Sequence, residues 1–322
     1  MKRRELLALL GITGITGIGG FIATQFSNLG QANAQGSADL LDNSELSLGE
    51  PRLRFVSLAD TGTGNRGQYA VAKAMTQFYR RSPFPLALLA GDNIYNDGKI
   101  EKIEPVFERP YQPLLQQGVK FYACLGNHDI RTKNGTPQLD YPLFNMPDRY
   151  YTFKRSIVQF FALDTNRNAN WDRQLEWLDE QLSQSSAPWK IVFGHHNIYS
   201  SGVYGVNQRL VSQLTPLFKH YDVQLYINGH EHHYERTQPI NGTTYLTCGA
   251  GAKLRRVGRS DWTDYATSHR LHLPKQKVPA VTVGQLSFAT YDVYADQIAV
   301  RGINKNGKII DRALIPRKTN SN

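Results

Sequence analysis

Five short apolar runs along this chain each stop at a glycine or at a residue able to bind a metal. Leu53 to Ala59 ends at Asp60, and Phe84 to Ala90 ends at Gly91-Asp92 with Tyr95 three residues on. Val119 to Leu125 ends in Gly126-Asn127-His128-Asp129. Lys190 to Phe193 ends in Gly194-His195-His196, and Val223 to Ile227 in Asn228-Gly229-His230-Glu231-His232. Runs this short and apolar read as buried strands. Their carboxyl ends are where open α/β sheets hold ligands. In one sheet with parallel central strands, all five ends share an edge. That edge collects Asp60, Asp92, Tyr95, Asn127, His195, His230 and His232. In extended backbone His230 and His232, two apart, point the same way. One histidine at a strand end is ordinarily a surface residue; five such ends together point to a metal site. Seven donors exceed what one ion takes. Two ions sharing a carboxylate fit, at the spacing of about 3.5–4 Å that activates water and neutralises a phosphoryl group. His128, beside Asn127 but not itself a ligand, is placed to protonate a leaving alkoxide.

The intervening sequence alternates with these runs. Helical spacing covers 66–80, 171–184 and 207–220, and a helix between about 101 and 117 is interrupted by Pro105, Pro110 and Pro113. Residues 149–164 read as a hairpin, and 234–248 as strands around Asn241-Gly242. Strands with turns at Asp296 and Asn306-Gly307 fill 285–316. Residues 250–280, basic and aperiodic, read as an insertion or long loop. No linker interrupts residues 51–316, so one catalytic domain is expected, with 317–322 as a tail.

The amino terminus carries a different signal. Lys2-Arg3-Arg4 precedes a glycine-rich stretch without charge from Leu6 to Ala38, and Ala32-Asn33-Ala34 has a small-x-small cleavage pattern. Residues 1–34 resemble a bacterial twin-arginine export signal, though no Ser or Thr precedes the arginine pair. Residues 35–50 then form a flexible lead-in. The expected location is periplasmic or secreted, with no stable membrane anchor once the signal is cleaved. The formal net charge is +10; removing Lys2, Arg3, Arg4 and Glu5 leaves about +8. This suits a soluble protein or one handling anions. The two cysteines, Cys124 and Cys248, exclude a cysteine-based zinc framework. Each lies at a strand end. They are either a disulfide, which export permits, or two small buried apolar residues.

The five blocks, in this order, resemble the calcineurin-like metallophosphoesterases, and Tyr95 narrows the resemblance to the purple acid phosphatases. The length is similar to the small, tartrate-resistant acid phosphatase type. The resemblance implies a four-layer α/β/β/α sandwich. It implies a ferric ion on Asp60, Tyr95 and His232, bridged by Asp92 to a second divalent ion (Fe, Zn or Mn) on Asn127, His195 and His230. It implies an acid phosphatase that hydrolyses phosphomonoesters with a metal-bound hydroxide, and a small phosphate ester as partner. The substrate-contacting residues would be Asn127, His128, Tyr204 and His196. Tyr204 stands where the family usually has a histidine. No nucleic-acid partner is expected beyond nucleotides as substrates, and the protein is expected to be a monomer. The alternatives are a phosphodiesterase of the same superfamily, with Lys253, Arg255, Arg256 and Arg259 gripping a polyanion, and a non-catalytic exported protein that binds iron or phosphate.

Overall fold

Strands β1 (Leu53–Leu58), β2 (Leu86–Leu89) and β3 (Lys120–Ala123) pair in parallel. Their residues are buried on both faces apart from Arg54 and Lys120, which is why they read as continuous apolar runs rather than alternating ones. These and all other coordinates come from a computed structural model, which describes residues 49–255, 257 and 280–317. The expected export signal, all but the end of the expected lead-in, most of the 250–280 stretch including Arg256 and Arg259, and the expected tail after Arg317 lie outside the described residues.

Helix α1 (Arg66–Arg81) links β1 to β2, and α2 (Arg109–Leu115) precedes β3. Asn65 caps α1 through its side chain, which accepts from Gln68 N–H at 2.9 Å, and Arg80 and Arg81 complement the helix dipole in its last turn. The hairpin β4 (Tyr151–Arg155) and β5 (Val158–Ala162) starts a second sheet. Helix α3 (Trp171–Ser183) leads to β6 (Trp189–Phe193), and α4 (Gln208–His220) to β7 (Leu225–Asn228). Strands β8 (Tyr234–Arg236), β9 (Thr244–Cys248) and β10 (Val281–Val283) complete that sheet, in the order β10-β8-β9-β7-β6-β5-β4. The chain then returns to the first sheet as β11 (Ser287–Val293), β12 (Gln297–Asn304) and β13 (Ile309–Pro316), with β11 antiparallel to β1.

The two sheets share one core. Phe55 of β1 stacks on Tyr291 of β11 at 4.3 Å and meets Phe160 of β5 edge-on at 5.1 Å. Trp189 donates its indole N–H to Tyr294 O at 2.9 Å, and Tyr151 its hydroxyl to Ala123 O at 2.7 Å. Val71, Met75 and Phe78 of α1 belong to this core. A second core lies on the other face of the second sheet, where Leu178 and Leu182 of α3 and Leu214 and Phe218 of α4 gather with Val192 and Tyr226. The layers therefore run helix, sheet, sheet, helix. No described helix is long and apolar enough to cross a membrane.

The structure corrects several expectations. The strand ends belong to two sheets rather than one: Asp60, Asp92 and Asn127 follow β1, β2 and β3, whereas His195 and His230 follow β6 and β7. The helix expected near 101–117 is a 3-10 turn (Ile100–Lys102), a π turn (Glu104–Glu108) and α2 in succession, because the prolines cannot donate to a continuous ladder. Strand β10 lay unrecognised between the aperiodic stretch of 250–280 and the strands expected from 285. Of the two readings of the cysteines the structure bears out the second: Cys124 and Cys248 are free and buried, and burial pushes the Cys248 thiol up to about 12.

Phe55 touches both sheets, so its loss weakens their junction. Phe55→Ala should cost about 3–5 kcal/mol, read as a lower urea midpoint at unchanged slope. A loss under about 1 kcal/mol would mean that the sheets do not depend on this contact.

Candidate metal centre

At three strand ends the backbone enters the left-handed region at a residue with a donor side chain: Asp60 (φ 57°), Asp92 (φ 54°) and His230 (φ 69°). Asp and His tolerate this region better than most residues. Each chain segment turns aside there and leaves its side chain among the others. Backbone bonds stitch the loops together. Asp60 N–H donates to Gly91 O at 3.0 Å, Tyr95 N–H to Gly62 O at 2.7 Å, and Gly229 N–H to His195 O at 3.0 Å. His230 N–H donates to Asp60 Oδ2 at 2.8 Å, joining the second sheet to the first. Glycine is required at two of these contacts. A Cβ on Gly91 would lie 2.6 Å from His195 Nδ1, and one on Gly126 2.2 Å from Asp92 N. Gly91 also has φ +83°.

All seven expected ligands come together. In one half, Tyr95 OH donates to Asp60 Oδ1 at 2.7 Å, and His232 Nε2 lies 3.1 Å from that oxygen and 3.4 Å from the phenol. In the other half, His195 Nε2 lies 3.1 Å from Asn127 Oδ1, 3.3 Å from His230 Nδ1 and 3.5 Å from Asp92 Oδ1. Donor atoms of Asp60, Asp92 and His195 all fall within 4.8 Å of one another. His230 and His232 do not point the same way as extended backbone would require. The left-handed turn at His230 sends one imidazole into each half.

The donor set fits a pair of cations. His195 Nδ1–H donates to Ala90 O at 3.0 Å, which leaves the Nε2 lone pair facing the oxygens of Asn127 and Asp92. A lone pair aimed at acceptors needs positive charge between them. The titration behaviour agrees. Burial disfavours charge on His195, yet Asp92 and Asp60 raise its pKa. Burial, aided by His195, pushes His230 down to about 3, so it is a neutral imidazole. Against burial, His232 and His195 hold the Asp60 carboxyl below the usual carboxylate range. Burial and the carboxylates of Asp60 and Asp92 push the Tyr95 phenol well above its usual value.

The residues expected to meet substrate lie around this centre. His128 gives its Nδ1–H to Asn96 O at 2.6 Å and keeps Nε2 3.9 Å from Asp92 Oδ2. Its backbone N–H donates to Asp92 Oδ1 at 2.9 Å. His196 Nδ1 pairs with the Thr165 hydroxyl at 2.9 Å, and its ring lies 4.6 Å from His230. Burial and the neighbouring imidazoles hold its pKa well below the ordinary value. Tyr204 stacks on His230 at 4.1 Å, is half exposed, and is held by a bond from its N–H to Glu231 Oε1.

Two further residues had no assigned role at this centre in the sequence. Lys253, read from the sequence only as a candidate polyanion contact, has its Nζ 3.4 Å from the centre of the Tyr95 ring. Asp129 ties the loops from below: its carboxylate accepts from Gly126 N–H at 2.7 Å, Ile94 N–H at 3.0 Å, Asn93 N–H at 3.1 Å and Gln138 Nε2 at 3.0 Å. Its only sign was its position at the end of the Gly126–Asp129 block.

The sequence profile of the calcineurin-like phosphoesterase family matches residues 53–234. Purple acid phosphatase 7 from Arabidopsis thaliana is 32% identical over 243 residues, which cover 65% of this chain and 73% of the relative. Tartrate-resistant acid phosphatase type 5 from Sus scrofa is 26% identical over 312 residues, covering 84% of this chain and 89% of the relative. Among solved structures, GAP50, the anchor in the inner membrane complex of Plasmodium, superposes with a TM-score of 0.69 at 23% identity, covering 84% of this chain and 90% of that one. The last likeness concerns the fold.

Burial, together with the charge of Asp92, lifts the pKa of Asp129 from 3.8 to about 7. A carboxyl whose pKa is raised by folding favours the fold when protonated. That contribution is full below the unfolded value of 3.8 and disappears as pH rises through about 7. Metal-free wild type should therefore lose more stability between pH 4 and 7 than metal-free Asp129→Asn, as measured by urea unfolding. Parallel pH dependences would mean that Asp129 does not titrate in this window.

Proposed function

The chain belongs to the purple acid phosphatases of the calcineurin-like phosphoesterase family, and on that premise we propose that it is an exported, monomeric acid phosphatase acting on small phosphomonoesters in the periplasm or outside the cell. The observation that carries this reading is the buried meeting of Asp60 and Asp92 with His195, flanked by Tyr95, Asn127, His230 and His232. Asp60, Tyr95 and His232 would hold a ferric ion, Asn127, His195 and His230 a divalent one, and Asp92 would serve both. A phenolate is a hard anionic donor that favours Fe(III); the donors of the other half suit Fe, Zn or Mn. Bound there, the two ions supply an activated water and offset the charge of the phosphoryl group.

The protein's own residues do the rest. Lys253 and Arg255 bring positive charge to the rim: Lys253 lies over Tyr95, and Arg255 donates to His230 O at 3.2 Å. They attract a dianionic ester and help to hold it. His128 is the proton donor to the departing alcohol. Its Nδ1–H is committed to Asn96 O, so Nε2 carries the mobile proton, with Arg131 Nη2 3.5 Å away. Burial, opposed by Asp92, lowers its pKa from 6.5. The acid form of His128 is thus the working form, and it is populated only in acid.

Turnover should fall as pH rises through the imidazole pKa, below about 6.5. His128→Asn should lower kcat for phenyl phosphate by about 10²-fold or more and flatten that limb. For p-nitrophenyl phosphate, whose leaving group needs little protonation, the loss should be smaller. Equal losses on both esters would remove His128 from the proton-transfer step. Asp92→Asn and His195→Ala should abolish turnover of both esters; near-normal activity in either, when metal-loaded, would contradict the assignment. A bis-aryl phosphodiester cleaved faster than the aryl monoester would favour the diesterase alternative.

A further inference from the structure

A cleft of about 800 Å³ opens beside His230 and runs away from the metal ligands, past His196 and Tyr204 to Trp171, Arg167 and Arg209. No carboxylate among the described residues lines it. It is joined to the centre through short contacts: His196 lies against His230 and pairs with the Thr165 hydroxyl, and Thr165 O accepts from Arg209 Nη2 at 3.2 Å. Arg209 is held flat, 4.3 Å over the Trp171 ring, and spends one further donor on Gln213 at 3.1 Å. A guanidinium has five N–H donors, so this anchoring leaves others open to the cleft. Arg167 is exposed and has no hydrogen bond or ion pair among the described residues. It stands close enough to Arg209 for its charge to act on it.

Two like charges, one of them anchored by an indole ring, with no acid among the described lining residues to balance them, attract an anion. A guanidinium binds phosphate oxygens through parallel hydrogen bonds, which a carboxylate-free cleft leaves available. We propose that Arg167 and Arg209 form a subsite for a second phosphate, carried on the leaving group of the substrate. Among phosphate monoesters and anhydrides, the subsite would favour those whose leaving group itself carries a phosphate, such as pyrophosphate or the terminal phosphates of a nucleoside diphosphate or triphosphate, over esters of an uncharged alcohol. This rests on the phosphatase reading of the neighbouring centre and names the substrate class for it.

The test compares pyrophosphate with phenyl phosphate on the metal-loaded full chain. The quantity read is the ratio of kcat/KM for the two. Arg167→Gln changes an exposed side chain without partners and is expected to fold normally. It should lower the ratio about tenfold, and Arg209→Gln by at least as much. Arg209→Lys keeps the charge but loses the fork, and should recover only part of the loss. A ratio unchanged in both glutamine variants, or a similar fall for both substrates, would overturn the subsite. Calorimetric titration of pyrophosphate into wild type and Arg167→Gln decides the matter independently of turnover. Tighter binding by wild type supports the subsite, and equal binding overturns it. If wild type hydrolyses neither compound, the phosphatase reading fails, and the titration still separates that failure from one of the subsite.

Discussion

The lone pair of His195 Nε2 points at the oxygens of Asn127 and Asp92, and much of this structure depends on answering it. Acceptors do not collect in a buried place unless something positive lies among them. Here the Nδ1–H bond to Ala90 O fixes the neutral tautomer, so the imidazole can meet those oxygens only by taking up a second proton, as the raised pKa reflects, or by holding a cation. Asp60 and Asp92, both almost wholly buried, add two carboxylates to the same few ångströms. The geometry around them serves this meeting. Loops leave two sheets, three donor residues adopt left-handed backbone, and glycines at 91 and 126 let segments approach closer than any side chain would allow.

The donor residues were readable because buried parallel strands leave a plain trace: a short apolar run, then a glycine or ligand type. That trace gave all seven donors. It could not say which sheet each strand joins. Strand β11 pairs with β1 across more than two hundred residues of chain, and no local pattern announces such a pairing. The direction of His230 was equally hidden, since a period-two argument assumes extended backbone and the left-handed turn there follows from tertiary contact with Asp60. Lys253 was read only as part of a candidate polyanion grip, and the pair Arg167 and Arg209 went unread, for a different reason. Isolated basic residues carry no period, and their meaning comes from what they face: a phenol ring in one case, an indole and a carboxylate-free cleft in the other.

Positive charge is distributed unevenly around the centre. Lys253 lies over the Tyr95 ring, Arg131 beside His128 and Arg255 over Tyr204, and Arg167 and Arg209 line the cleft beyond His196. The net charge of +10 alone says only that anions are attracted. The placement says more. On the proposed reading, one group of cations would meet the phosphoryl group to be transferred, and the other whatever leaves with it. Tyr204 separates them, stacked on His230 and half exposed. Where a histidine would add a third kind of positive charge, the phenol supplies a flat wall and a neutral hydrogen-bonding group.

The most direct test of this account is the metal content of the purified full chain, measured with its visible absorption spectrum and that of Tyr95→Phe. The account predicts two ions per chain, one of them iron, and a broad visible band from the Tyr95 phenolate that disappears in Tyr95→Phe. A chain that takes up no more than one ion under saturating metal, or an iron-loaded chain whose spectrum is the same with and without the Tyr95 hydroxyl, would contradict it.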